Sequence, residues 1–268
     1  MGVRSPWLLP LGLAIGAVAA TCGIGGGLFA VPLLHYTLRM PLKSAVATSL
    51  CLVFATALSA TVTEALHPDR AIHVGLVSVL IAGSLGGAQL GHRIATRIST
   101  ENLKAVFSIV LLVAGLRLLL ADSSADAVVL AEGFEPGLAT FGATFLVGFC
   151  AGVAVPLLGV GGGLIVVPSL LFFVPEIGYL GARAASLGMA VVTSLRSIFL
   201  YKKSGLVDWQ RALWFGAGAL IGAALGVAWV HGAGHPAFAR RLLGGILCFS
   251  AARFAFDAWR SRRHEPGE

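Results

Sequence analysis

Gly23-Ile24-Gly25-Gly26-Gly27-Leu28-Phe29-Ala30-Val31-Pro32 recurs later in the chain as Gly159-Val160-Gly161-Gly162-Gly163-Leu164-Ile165-Val166-Val167-Pro168. The two copies align without a gap at an offset of 136 residues, and each lies inside a strongly apolar stretch. Glycine gives up the most backbone entropy on ordering, so a glycine run interrupts either a helix or a strand. In lipid, irregular backbone is tolerated only where it is buried in protein or lines a cavity. The pair therefore marks two places where membrane helices break and present bare backbone.

Composition supports the membrane setting. Of 268 residues, 57% are hydrophobic and 12% charged, with mean hydropathy +0.90; a soluble chain carries roughly 25% charged residues. The net charge is +7. Most of the Lys and Arg fall between apolar runs, which fits membrane loops and argues against nucleic acid as a partner. Cys22, Cys51, Cys150 and Cys248 lie in apolar segments without paired spacing, so neither a disulfide framework nor a zinc site is expected. The apolar start of the chain has the look of a signal peptide, but residues 138–155 occupy the same place before the second glycine motif. An internal segment is no signal, so residues 7–38 are read as retained.

Residues 7–38 are too long for one span and too short for two, which suits two half-length helices meeting at the glycines as a re-entrant hairpin. Spans follow at 45–66, 72–94 and 103–120. Residues 121–136 form an acidic linker. The second half repeats the plan, with a broken unit at 137–173 and spans at 181–201, 209–231 and 237–259, then a polar tail over 260–268. Ser49-Leu50 aligns with Ser186-Leu187, Thr56 with Thr193, and Gly83, Gly87 and Gly91 with Gly218, Gly222 and Gly226. These glycine stripes are read as helix packing. The domain plan is repeat 1 over 1–120, the linker, and repeat 2 over 137–259.

Two parallel repeats with eight crossings would distribute loop cations evenly. Two inverted repeats with re-entrant units place 12 cations on one side against 4 on the other, counting Arg183 among the 4. The positive-inside rule selects the inverted arrangement with both termini cytoplasmic. The fold class is thus an all-α polytopic membrane protein of two inverted repeats. Each repeat is one glycine-rich broken unit plus three transmembrane helices.

A helix restarting inside the membrane offers unpaired N–H groups and the positive end of its dipole, a natural seat for an anion. The candidate binding residues are Gly25, Gly26, Gly27, Gly161, Gly162 and Gly163, with hydroxyls from Thr48, Ser49, Ser186 and Thr193. Pro32 and Pro168 mark the structural breaks. Arg196 lies about a turn from the end of its span, and an intramembrane Arg reads either as functional or as snorkelling. Arg117 and Arg253 read as snorkelling, and Glu64 and His67 as a solvated span end rather than a proton relay. Gln89 has no assigned role. Neither glycine run is followed by the Lys-Ser/Thr of a P-loop, no nucleophile–base set or metal-ligand group stands inside the spans, and no cofactor is expected.

Gly25-Gly26-Gly27-Leu28 with Pro32, Gly161-Gly162-Gly163-Leu164 with Pro168, and Ala47-Thr48-Ser49-Leu50 together resemble the sulfite exporter TauE/SafE family over essentially the whole chain. The resemblance implies a bacterial inner-membrane permease for small sulfur-containing anions: sulfite, thiosulfate, sulfoacetate or related sulfonates. One departure is Ala185 where the first half has Thr48, which removes a hydroxyl from the second half. The expected function is secondary transport by alternating access, driven by the substrate gradient or the proton-motive force. The alternative is an anion channel of the same fold. A homodimer is compatible with this reading.

Overall fold

The computed structural model describes residues 6–67, 73–95, 137–159, 161–232 and 236–263, with isolated positions at 108, 112, 115, 116, 119 and 120. Among them are nine α-helices and no strand: α1 (Leu8–Cys22), α2 (Gly27–Pro32), α3 (Leu42–Leu66), α4 (Val74–Ala95), α5 (Leu138–Leu158), α6 (Gly163–Phe173), α7 (Gly178–Lys202), α8 (Trp209–Gly232) and α9 (Pro236–Arg263). Five of the described helices, α3, α4, α5, α7 and α8, are long and apolar enough to cross a bilayer. The expected span at 103–120, apart from the isolated positions, and the acidic linker at 121–136 lie outside the described residues. The tail expected from 260 onward begins later, because Arg260–Arg263 prolong α9; arginine is a good helix former and needs no apolar face to continue one.

Both glycine units break where expected. α1 ends at Gly23 (φ 76°, ψ 17°) and α5 at Gly159 (φ 66°, ψ 18°), both left-handed. Each cap N–H reaches back to its own helix, from Gly23 to Ala19 O and from Gly159 to Val155 O. This is the standard way for glycine to close a helix. Pro32 and Pro168 do not form the breaks. Pro32 is the last residue of α2, before the π-helical turn Leu33–Thr37, and Pro168 lies inside α6. Reversal needs the left-handed backbone that glycine supplies. Pro168, the sixth residue of α6, removes one i→i−4 bond without ending the helix, and the wide π turn that follows accommodates the ring at Pro32.

Helix directions follow from the contacts. The glycine stripe of α8 rests on the backbone of α1, with Gly218 over Leu9 and Leu13, Gly222 over Leu13 and Gly226 over Ala17, so α1 and α8 run the same way. α3 does too: Ser59 bonds Leu220 O and Glu64 meets His231. In the other half, Gly148 of α5 packs on Leu80 of α4 and Gly152 on Ser84, while Ser84 and Gln89 of α4 bond Thr193 and Arg196 of α7. α4, α5 and α7 are therefore parallel to one another. α3 and α7 cross in opposite directions, since Glu64 near the end of α3 meets Arg183 near the start of α7. Because α1 and α3 share a direction, α2 has to double back between them. Leu8 and Leu34 accordingly fall in the same buried cluster.

The pairing is reciprocal between the halves: α1 lies on α8, and α5 lies on α4. The glycine stripes are what permit the close approach. A Cβ on Gly87 would lie 2.9 Å from the Val153 nitrogen, and one on Gly222 would lie 2.9 Å from Leu13 Cα. Gly142, on the same α5, has nothing within 4 Å of its Cβ position. Gly222→Leu is expected to lower the unfolding free energy in detergent by about 1–3 kcal/mol. Gly142→Ala should raise it by up to about 1 kcal/mol through helix propensity alone. Denaturation midpoints of the purified variants check both.

Candidate functional site: two interlocked glycine turns and a buried charge cluster

The two glycine turns meet. A Cβ on Gly25 (φ 70°) would lie 3.3 Å from Gly161 Cα, and one on Gly161 would lie 2.9 Å from Ile24 O. A Cβ on Gly163 would lie 2.7 Å from Ile24 Cα and nearer still to the Gly23 carbonyl oxygen. All six candidate glycines are buried; Gly26 faces Leu52 and Ile15 and Gly162 faces Met189 and Ala151, each within its own half, whereas Gly25, Gly161 and Gly163 form the contact between the turns. α2 and α6 begin there. Their first intrahelical bonds run from Phe29 and Ala30 N–H to Gly26 O, and from Ile165 and Val166 N–H to Gly162 O. The N–H groups of Gly27, Leu28, Gly163 and Leu164 precede those bonds and are the orphan donors of a helix start.

The turns are held by the opposite half. Ser186 on α7 donates to Gly23 O at 2.8 Å, and Ser49 on α3 donates to Gly159 O at 3.0 Å. These are aligned serines acting on aligned glycines. The candidate hydroxyls of Ser49 and Ser186 thus satisfy carbonyls at helix ends. Thr48 Oγ1 accepts the Asp208 N–H at 3.1 Å, fixing the loop that leads into α8. Thr193 Oγ1 lies 2.7 Å from Ser84 Oγ and 2.9 Å from Met189 O. Arg196 is exposed and donates to Gln89 Oε1 at 2.8 Å, which gives Gln89 a role and places the guanidinium on the α4–α7 surface. Arg253 lies over the Tyr36 ring, 5.7 Å from its centroid. Arg117 lies outside the described residues.

Two expectations are overturned by a cluster at the end of α1. Arg183, counted as a loop cation, is fully buried in the second turn of α7, and Glu64, expected at a solvated span end, is fully buried in the last turn of α3. Arg183 Nη2 and Glu64 Oε2 form an ion pair, and His231 Nε2 lies 3.0 Å from Glu64 Oε1. His67 stacks on His231 with ring centroids 4.0 Å apart. Arg183 Nη1 donates to Ala20 O at 3.1 Å, and Tyr179 OH donates to Thr21 O at 3.0 Å.

Tyr179, Arg183 and Ser186 therefore form one helical stripe that covers the carbonyls ending α1. A cation suits a helix C-terminus, whereas the first turns of α7 and the last turn of α3 each disfavour the charge they carry. The two charges hold each other. Apolar-run counting hid the pair, because α7 begins three residues earlier than the hydrophobic pattern does. The available signal was an arginine set in an unbroken Gly/Ala run, Gly181-Ala182-Arg183-Ala184-Ala185.

The opposite end is built differently. In the register that aligns Ser49 with Ser186, Arg183 corresponds to Val46 and Glu64 to Tyr201. There, Tyr201 OH donates to Pro156 O at 2.8 Å, and Val46, Leu50, Val155 and Val207 pack around it. Equivalent helix ends are thus closed by a guanidinium on one side and a phenol on the other. Among the described residues no group of three His, Cys, Asp or Glu side chains is placed to hold a metal ion.

Membrane-crossing helices built around two glycine breaks define a polytopic membrane protein of transporter type. Comparison gives the family: the model of "Sulfite exporter TauE/SafE" matches residues 2–118 and 144–268. The chain belongs to the sulfite exporter TauE/SafE family. It is 30% identical over 218 residues to a "probable membrane transporter protein" of Xylella fastidiosa, covering 79% of each chain. It is 27% identical over 246 residues to the "probable membrane transporter protein YunE" of Bacillus subtilis, covering 82% of this chain and 86% of that one. No solved structure matches.

Removing one partner of a buried ion pair strands the other. Arg183→Leu is expected to cost about 3–5 kcal/mol, whereas Arg183→Leu with Glu64→Leu should recover much of that loss. Melting of the two single variants and the double variant, read as a thermodynamic cycle, tests the coupling.

Proposed function

We propose that the protein is a secondary transporter of small sulfur-containing anions such as sulfite, thiosulfate or organosulfonates. In this reading it is built from two inverted repeats, moves by alternating access, and has both termini on the cytoplasmic side of a bacterial inner membrane. The observation that carries the reading is the meeting of the two glycine turns, one from each half, with a helix starting from each. Paired helix starts at a repeat interface are how many secondary transporters bind an anion without side-chain charge. Inversion is supported by direction, since α1, α3 and α8 run opposite to their counterparts α5, α7 and α4. The family and the relatives named as membrane transporters support the transport class.

The anion would bind at the N–H groups of Gly27, Leu28, Gly163 and Leu164. Gly25, Gly26, Gly161 and Gly162 leave those groups approachable. Ser49, Ser186, Thr48 and Thr193 keep the backbone in place around them, and Arg196 would attract anions from the α4–α7 surface. The Gly25–Gly161 contact favours a carrier over a channel, because a continuous pore between the turns would need those backbones apart.

Thermal stability of the purified protein against sulfite, thiosulfate, sulfoacetate, sulfate and chloride tests the site. A ligand at a hundred times its Kd adds about 2.7 kcal/mol. One sulfur anion should raise the melting temperature well beyond chloride. Gly162→Ala is the suitable probe, since its φ of −51° is ordinary and its Cβ would meet side chains rather than backbone, the flexible end of Met189 (Cε at 2.6 Å) and then Ala151 Cβ at 3.2 Å. It should fold and lose the ligand shift. Gly163→Ala, whose Cβ strikes backbone, should be destabilised even without ligand by about 1–3 kcal/mol. A panel in which no sulfur anion outdoes chloride would sink this substrate class.

A further inference from the structure

Resting on the transport reading above, we infer that the Glu64–Arg183–His231 cluster is a proton-binding site that couples proton movement to anion movement. Arg183 serves as the anion's second contact, and the number of protons carried is set by the anion's charge.

The argument is one of charge conservation in a buried place. Glu64 and Arg183 are fully buried and make a neutral pair. The pair adjoins the first glycine turn: a Cβ on Gly23 would lie 2.9 Å from Arg183 Cγ, and Arg183 Nη1 already bonds Ala20 at the end of the same helix. The buried Arg183 Nε has no hydrogen-bond partner. A buried guanidinium N–H without an acceptor is an open position for one. An anion that takes it shares Arg183 with Glu64, leaving two negative charges on one cation. An uncompensated charge is strongly disfavoured in a buried place. Protonation of Glu64 restores neutrality: Arg183 then pairs with the anion, and the Glu64 carboxyl donates its new O–H to His231 or to the anion. A monoanion therefore brings one proton. A dianion needs a second, and His231, whose Nε2 lies 3.0 Å from Glu64 Oε1 and 3.4 Å from Arg183 Nη2 and whose ring stacks on His67, is the adjoining base that takes it.

The groups around the carboxylate fit this assignment. Arg183 from α7 and His231 from α8 meet the carboxylate directly, His67 at the end of α3 stacks on His231, Cys22 from α1 lies near Arg183, and Tyr179, one turn before Arg183, bonds Thr21 O. α9, which touches α7 and α8, carries Arg241 on an exposed face and Arg253 over the Tyr36 ring. Opposite, the place of the ion pair is taken by Val46 and Tyr201. Protonation thus acts on one end of the molecule, which gives an otherwise repeated architecture a polarity.

The test uses the full chain reconstituted in liposomes with trapped pyranine. The probes are radiolabelled isethionate, a monoanion, and thiosulfate, a dianion. Neither takes up a proton near neutral pH, so any protons counted are bound by the protein. The expected result is one proton per isethionate and two per thiosulfate, with accumulation driven by an acid exterior. Glu64→Gln should lower each ratio by one, and His231→Gln should lower the thiosulfate ratio alone. A merely structural role would change the rate and leave the ratio where it was.

Anion uptake by the wild-type protein without proton movement overturns this inference and leaves the proposed function standing, as does an unchanged ratio in Glu64→Gln. Absence of uptake and of any melting shift for both anions overturns the proposed function and the coupling with it. Should Glu64→Gln not fold, the wild-type ratios decide: one and two sustain the assignment, equal ratios or zero overturn it.

Discussion

A helix that stops inside a bilayer leaves carbonyl groups with no water to satisfy them, and the rest of this structure depends on how those carbonyls are met. α1 and α5 both stop at a left-handed glycine. Each terminal glycine carbonyl is met by a serine from the other half, Ser186 at α1 and Ser49 at α5; Arg183 and Tyr179 of the second half also close α1, while Tyr201 closes α5 from within its own half. Because unsatisfied backbone in lipid costs several kcal/mol per group, neither half can complete its own glycine turn. The halves are bound together by this requirement as much as by the reciprocal packing of α1 on α8 and α5 on α4.

The same constraint explains where the small residues fall. Glycines on α4, α5 and α8 lie where two backbones approach closely, an arrangement that favours dispersion contacts where no hydrophobic gain separates protein from lipid. At the centre, Gly161 and Gly163 let the second turn rest against Ile24 and Gly23. The result is a bundle whose outer helix pairs are tightly seated and whose centre is a contact between two turns without bulky side chains. Motion of one half against the other would concentrate its change there.

Much of this was legible in the sequence because it is carried by glycine. The repeat offset located both turns, and the four-residue glycine period marked the faces of α4 and α8 that pack closely, though not the helices they pack on. What escaped was the role of individual polar residues. Ser49 and Ser186 read as ligands for a solute, yet each already donates to a backbone carbonyl; a hydroxyl in an apolar segment has the same signature in both roles. Thr48, which has Ala185 as its counterpart, accepts from the loop at Asp208. Arg183 and Glu64 stand 119 positions apart in the chain. Their pairing depends on antiparallel passage of α3 and α7, which no local pattern encodes. Hydropathy placed both at span ends, where charge is ordinarily solvated.

Duplication of one unit yields two equivalent ends, and two equivalent ends give a machine no preferred direction. Here the backbone caps remain equivalent while the side chains have diverged. Ala20 O receives a guanidinium and Pro156 O a phenol. Keeping a charged pair in a dry interior is seldom the most stable choice, since well-packed apolar residues of similar volume are often as good or better. The opposite end, with Val46 in the place of Arg183, shows that this fold closes its turn without the ion pair. The buried charges are therefore not required by the architecture. A buried carboxylate between guanidinium and imidazole, beside an open N–H and at one end only, is what the molecule keeps beyond the needs of folding.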